Sequence, residues 1–120
     1  SLAGPWGSED SPPAPRAVQV ARVDQHHAKV TWAPPAAKER QYLERIIGYR
    51  VYARVSNDGL NDRPWFAVAT LGPEAREAVV DLRARPADVY WFQPQTLRFG
   101  VTALGPCSVE SELREVILKE

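Results

Sequence analysis

Val30-Thr31-Trp32-Ala33-Pro34-Pro35 and Ile47-Gly48-Tyr49-Arg50-Val51-Tyr52-Ala53-Arg54-Val55 are the two runs that decide the fold. Each alternates with period two, as a half-buried strand must. Val30 and Trp32 share one face, with Thr31 on the other. Tyr49, Val51, Ala53 and Val55 share a face, and Arg50, Tyr52 and Arg54 point the opposite way. Pro34-Pro35 ends the first strand, because proline has no N–H to give a ladder. A Trp on one strand facing a Tyr/Val stripe on another is the start of a two-sheet core.

Outward from these runs the pattern repeats. Val30 and Trp32 belong to a strand expected at 28–32, and further strands are expected at 17–23, with Val18 and Val20 inward, and at 65–71, 77–82, 97–103 and 112–118. In 65–71 the alternation puts Trp65, Ala67 and Ala69 on one face and Phe66, Val68 and Thr70 on the other. Turn chemistry separates them: Asp24 to His27, Ser56-Asn57-Asp58-Gly59, Gly72-Pro73-Glu74 and Gly105-Pro106-Cys107-Ser108. Residues 36–45 are good helix formers just after a proline, and a turn or two of helix fits there. The stretch 83–95, with Val89-Tyr90-Trp91-Phe92 between prolines, fits either a strand or a packed loop. Seven strands, short turns and no long helix or repeat make an all-β chain, a seven-stranded antiparallel β-sandwich of immunoglobulin-like design.

Composition agrees. The 120 residues suffice for one domain. Residues 1–12, rich in Gly and Pro, read as a flexible leader or linker with no apolar core of a signal peptide, and 13–120 as the folded domain. Fifteen basic and fifteen acidic residues balance to a formal net charge of +0. Charge therefore gives no reason to expect a nucleic-acid partner. No apolar run approaches the roughly 18 residues of a membrane span.

Taken together the residues resemble the fibronectin type III domain. Val30-x-Trp32-x-Pro34-Pro35 is similar to that family's Trp-x-Pro-Pro segment, and 47–52 to its third-strand motif. Pro94-x-Thr96 followed by Leu97, Phe99, Val101 and Ala103 is similar to its sixth strand. One departure stands out. The family usually opens that strand with a tyrosine whose hydroxyl bonds back to the backbone, and here Leu97 and Phe99 stand instead. The cluster Tyr90-Trp91-Phe92 is a candidate substitute for its packing. The resemblance implies a non-catalytic module of a larger protein for adhesion, receptor or scaffold work, with a protein partner and no cofactor; the alternative is a structural spacer domain, or an accessory domain of an enzyme or receptor. It also implies a monomeric isolated domain, with an extracellular or cell-surface setting slightly favoured over the cytoplasm.

Candidate sites follow from position. The connection 36–45 is expected to share one end of the sandwich with the 105–112 loop, bringing Lys38, Arg40, Tyr42 and Arg45 near Pro106, Cys107 and Val109. Loops on a rigid scaffold commonly carry recognition. Arg50, Tyr52 and Arg54, on the outer face, are candidates for an acidic partner or for pairing with acidic neighbours across the sheet. Cys107, the single cysteine, is expected as an exposed thiol, either free or cross-linked to another chain. His26-His27 read as exposed turn residues, because no further His or Cys stands nearby to complete a metal set. Glu110, Glu112 and Glu115, with Arg114 between, read as a solvated charged edge.

Overall fold

The computed structural model of the chain describes residues 11–36, 45–56, 64–83 and 96–118. Seven strands run through them: β1 (Arg16–Arg22), β2 (His27–Ala33), β3 (Gly48–Ser56), β4 (Phe66–Leu71), β5 (Glu77–Asp81), β6 (Thr96–Leu104) and β7 (Arg114–Leu118). They form two antiparallel sheets, one in the order β1-β2-β5 and the other in the order β4-β3-β6-β7.

The inner faces are the alternating stripes. Ala28, Val30 and Trp32 of β2 meet Tyr49, Val51 and Ala53 of β3 and Phe99, Val101 and Ala103 of β6, all buried in one cluster. Val18 and Val20 of β1 pack against it, as expected. Val30, Val51, Phe99 and Val101 are completely buried, and burying side chains of this size stabilises by about 1.5–3 kcal/mol each. The Trp32 and Tyr49 rings lie 5.6 Å apart at 46°, a tilted aromatic contact between the sheets. The Trp32 indole N–H is buried without an acceptor, a cost of about 1–3 kcal/mol that the ring's burial offsets.

Two bulges modify the simple alternation. In β1 the register with β2 slips between Arg16 and Gln19, and Ala17 takes a left-handed φ of 52°. In β4 the slip falls where Ala69 pairs with Val51 and Ala67 with Tyr52, leaving Val68 as the extra residue. A bulge changes which face the residues beyond it present. Ala69 therefore turns inward with Phe66, Val68 and Leu71 to pack on the core, while Ala67 and Thr70 are exposed. The expected grouping of Ala69 with Trp65 and Ala67 is corrected by that one inserted residue. The last strand also starts later than expected, at Arg114, because 110–113 are used differently. The 56–59 turn beyond Ser56, the helical turn in 36–45 and the 83–95 stretch fall mostly outside the described residues, and the Tyr90-Trp91-Phe92 cluster falls wholly outside them.

Candidate interaction surface

One end of the sandwich is built from the entry to β3 and the exit from β6. The Ile47 N–H donates to the Leu104 carbonyl at 2.8 Å, and Gly48 pairs with Leu104. Gly48 is required by close approach, because a Cβ there would run into the Leu71 carbonyl oxygen. Beyond β6 the chain makes a 3-10 turn over Pro106–Ser108, closed by Gly105 N–H to Val109 O at 2.7 Å. Cys107 and Ser108 sit at its tip with φ of 61° and 63°. Two consecutive non-glycine residues in the left-handed region are costly. The conformation persists only because the loop's base is held.

That base is held by a polar cluster on the outer face of the four-stranded sheet. After the tip, Glu110 forms a bridge with Leu104, and Ser111 donates its N–H to the Ala103 carbonyl at 2.8 Å. The Ser111 hydroxyl accepts the Ala103 N–H at 2.8 Å and donates to the Glu112 carbonyl at 2.9 Å. A buried hydroxyl thus stands in for the backbone partner that β6 lacks at this point. Glu110, only 4 % exposed, lays its carboxylate over the sheet. The Tyr52 hydroxyl donates to its Oε1 at 2.5 Å, the Thr102 hydroxyl to the same oxygen at 2.8 Å, and Arg50 Nη1 lies 3.6 Å from Oε2. A buried carboxylate is tolerated when its lone pairs meet donors and a cation stands beside it. Leu113 covers the neighbouring strand, which requires glycine at position 100. A Cβ there would lie 2.7–2.8 Å from three Leu113 side-chain carbons.

Two expectations are corrected by this cluster. Tyr52 is buried and bound to Glu110, so it offers no surface to a partner. Glu110 is not part of a solvated edge, because the 3-10 turn redirects it over β6 before β7 begins. The expected pairing of Arg50 with an acidic neighbour, by contrast, is what the structure shows, with Glu110 as that neighbour, and Arg98, which the sequence did not single out, pairs with Glu115 at 3.1 Å. Arg54 lies over the Trp65 ring, 5.7 Å from its centroid. Arg45 is exposed at the loop end, and Cys107 is exposed at its tip. Lys38, Arg40 and Tyr42 lie outside the described residues. Ile47, 55 % exposed and bonded next to Gly105, joins this end as an apolar residue that periodicity alone did not single out.

The opposite end is fastened differently. His27 Nδ1 lies 2.9 Å from Asp24 Oδ1, and the His26 N–H donates to the same oxygen at 2.8 Å. The His27 bond first, and the His26 N–H second, hold the Asp24 carboxyl below its usual range. At the end of β5 the Arg83 guanidinium donates to both Asp81 oxygens at 3.0 and 3.1 Å. That contact, reinforced by the Arg83 N–H at 2.9 Å, lowers the Asp81 carboxyl to about 2. Among the described residues no cluster of His, Cys, Asp and Glu could hold a metal ion. A cavity of about 370 Å³ lies at the seam between the β1 bulge and β7. Its charged residues are engaged elsewhere, Arg16 with the Pro34 carbonyl, Arg114 with Glu112 and Glu115 with Arg98.

By sequence, no known protein family and no curated protein matches the chain. By structure, many solved proteins do. The chain is similar to the third fibronectin III domain of the human KIAA0343 protein (TM-score 0.60, 20 % identity, 92 % of this chain and 83 % of that one). It is also similar to a Fn3-like protein from Clostridium thermocellum (TM-score 0.58, 19 % identity, 92 % and 94 %). A further match is the spore cortex lytic enzyme SleM of Clostridium perfringens (TM-score 0.64, 19 % identity), where 91 % of this chain spans only 28 % of the enzyme's length. At these identities the likeness concerns the fold. Strand order, sheet composition and these neighbours agree: the chain has the fold of a fibronectin type III domain.

Proposed function

We propose that the chain is a non-catalytic module of a larger protein that binds a protein partner through the end formed by 45–47 and the 105–109 loop. The observation that carries this reading is the braced tip. Pro106, Cys107 and Ser108 are exposed, Cys107 and Ser108 in a conformation their side chains disfavour, on a base locked by Glu110 and Ser111, with exposed Ile47 alongside. Strain of this kind concentrates where a backbone must be presented in one shape. An apolar side chain beside a rigid loop supplies the anchor that recognition surfaces use. Lys38, Arg40 and Arg45 belong to the same proposed surface by their place in the chain. Adhesion, receptor and scaffold roles are all forms of this activity.

The test is site-specific photocrosslinking in the full-length parent protein, with the probe placed at Ile47, at Pro106 or at Val79 on the other sheet. Adducts with one protein are expected from 47 and 106 only, and Ile47→Asp or joint charge reversal of Lys38, Arg40 and Arg45 should remove them without lowering thermal stability. Equal labelling from Val79 would end the reading. A second reading, in which the domain sets distance within a longer chain, is favoured by SleM, where the matching region is a minor part of an enzyme. Under that reading, replacing the domain with an unrelated one of equal length leaves the parent's activity intact.

A further inference from the structure

The edge strands of the two sheets, β1, β5, β4 and β7, are not alike. Three are blunted by charge, as exposed edges usually are. β1 carries Arg16 and Arg22, β5 carries Glu77 and Asp81, and β7 carries Arg114 and Glu115. β4 carries no charge from Phe66 to Leu71, and Pro64 and Pro73 stand just outside it. It pairs with β3 on one side, and no described strand pairs with it on the other. The bulge at Val68 gives this edge a second property. In the β3 register Leu71, Ala69 and Phe66 stand with the inward Tyr49, Val51 and Ala53, and Thr70 and Ala67 stand with the outward Arg50 and Tyr52. Val68 packs inward as well. The order along β4 is therefore in, out, in, in, out, in, the same read from either end. Plain alternation over this length is not symmetric. Turned about its midpoint, it sets inward side chains opposite outward ones.

We propose that β4 pairs antiparallel with β4 of a second copy of this chain, about a two-fold axis between Val68 and Ala69, joining the two four-stranded sheets into one. Residues directly opposite in an antiparallel pair share a face. The axis sets Ala67 opposite Thr70 on the outer face twice, and Val68 opposite Ala69 on the inner face twice. Apolar side chains thus meet apolar ones, and no charge is buried. Ala67 and Thr70 are exposed in the single chain, and the Thr70 hydroxyl accepts Arg50 Nε–H at 3.1 Å. A two-fold contact uses the same patch on both copies and closes as a dimer. The joined sheet then ends on the charged β7 edge at either side. Edge contact this short is weak and reversible. It uses none of the residues of the loop end, and it replaces the monomer implied by the resemblance with a monomer–dimer equilibrium.

The experiment is analytical ultracentrifugation of the 120-residue chain, raised to about 1 mM so that a weak contact is populated. The average mass should rise with concentration from the monomer's 13.4 kDa toward twice that value. Added salt should leave the rise unchanged, because no charge sits at the axis. Ala67→Glu with Thr70→Glu sets like charges opposite each other at both positions and should weaken association about tenfold, while Ile117→Glu on β7 leaves it unchanged. Thiol trapping then checks the register. In a Cys107→Ser background, Ala67→Cys with Thr70→Cys sets thiols across the axis at the Cα separation of an antiparallel pair, about 4.5–5.5 Å, which a disulfide spans. Within one chain the same two positions lie about 10 Å apart along the strand. Mild oxidation should give a covalent dimer there, and none from Ala21→Cys with Glu77→Cys on the other sheet. Trapping decides the matter even if the Ala67→Glu, Thr70→Glu variant fails to fold. The proposal is overturned by a mass that stays at the monomer's, by an equal loss in Ile117→Glu, by undiminished association in the double variant, by absence of the covalent dimer, or by equal trapping at 21 and 77.

Discussion

The two ends of this sandwich are both fastened by carboxylates, and the fasteners work under opposite conditions. Glu110 is 4 % exposed and receives two hydroxyl donors, with a guanidinium beside it. Asp24 and Asp81 meet their partners in solvent. Water screens an exposed ion pair until it contributes little. Burial removes that screening, and it makes any partner left behind expensive. The buried fastener therefore carries structural consequence at the loop end, where the strained tip must be held, and the exposed ones trim a turn that is stable by its ladder.

The comparison breaks most readily at Glu110. Glu110→Ala strands the Tyr52 and Thr102 hydroxyls in a buried site and should cost about 3 kcal/mol in urea unfolding. A loss no larger than that of a surface substitution would mean water takes the carboxylate's place. Next comes Gly100→Val, which drives Leu113 off the sheet and should cost about 2 kcal/mol, as overpacking does. A crystal structure with Leu113 unmoved would contradict it. Tyr52→Phe removes one donor and keeps the ring, for an expected loss of about 1 kcal/mol. Paired with Glu110→Ala in a double-mutant cycle it should prove strongly non-additive.

The smallest effect is expected at the exposed end. Asp81 is held at about 2, below its ordinary 3.8, first by the Arg83 side chain. A carboxyl lowered in the folded state stabilises fully above the unfolded value, and this contribution fades as pH falls from 3.8 through about 2. An NMR titration should place the Asp81 midpoint near 2, and Asp81→Asn should leave the denaturation midpoint at pH 7 nearly unmoved. A midpoint near 3.8 would show that the Arg83 contact does not persist in solution.

Much of the architecture was legible in the chain. Period-two alternation in 47–55 assigned Tyr49, Val51, Ala53 and Val55 to the core correctly, because the pleat alone decides which side a residue faces. Alternation failed in β4, where Val68 bulges, and a bulge leaves no mark in a run of small apolar residues. The candidate surface was less legible. Arg50 and Arg54 could be placed on a face, and Cys107 at an exposed turn. That Tyr52 is covered, and that Glu110 covers it, depends on a residue 58 positions away. No local signal announces such a contact, since Glu110 stands among Glu112 and Glu115 in a stretch that reads as solvated.

By itself, then, the sequence determined the strands, their inner stripes and the sandwich they close into, since these follow from local stereochemistry and from hydrophobic burial repeated along the chain. Tertiary structure alone decided which charges stay in water. It set Arg54 against Arg98 across the β3–β6 register and turned Glu110 back over the sheet. The reason is physical. The energy of a charge depends on what surrounds it, and those surroundings come from strands far apart in the chain.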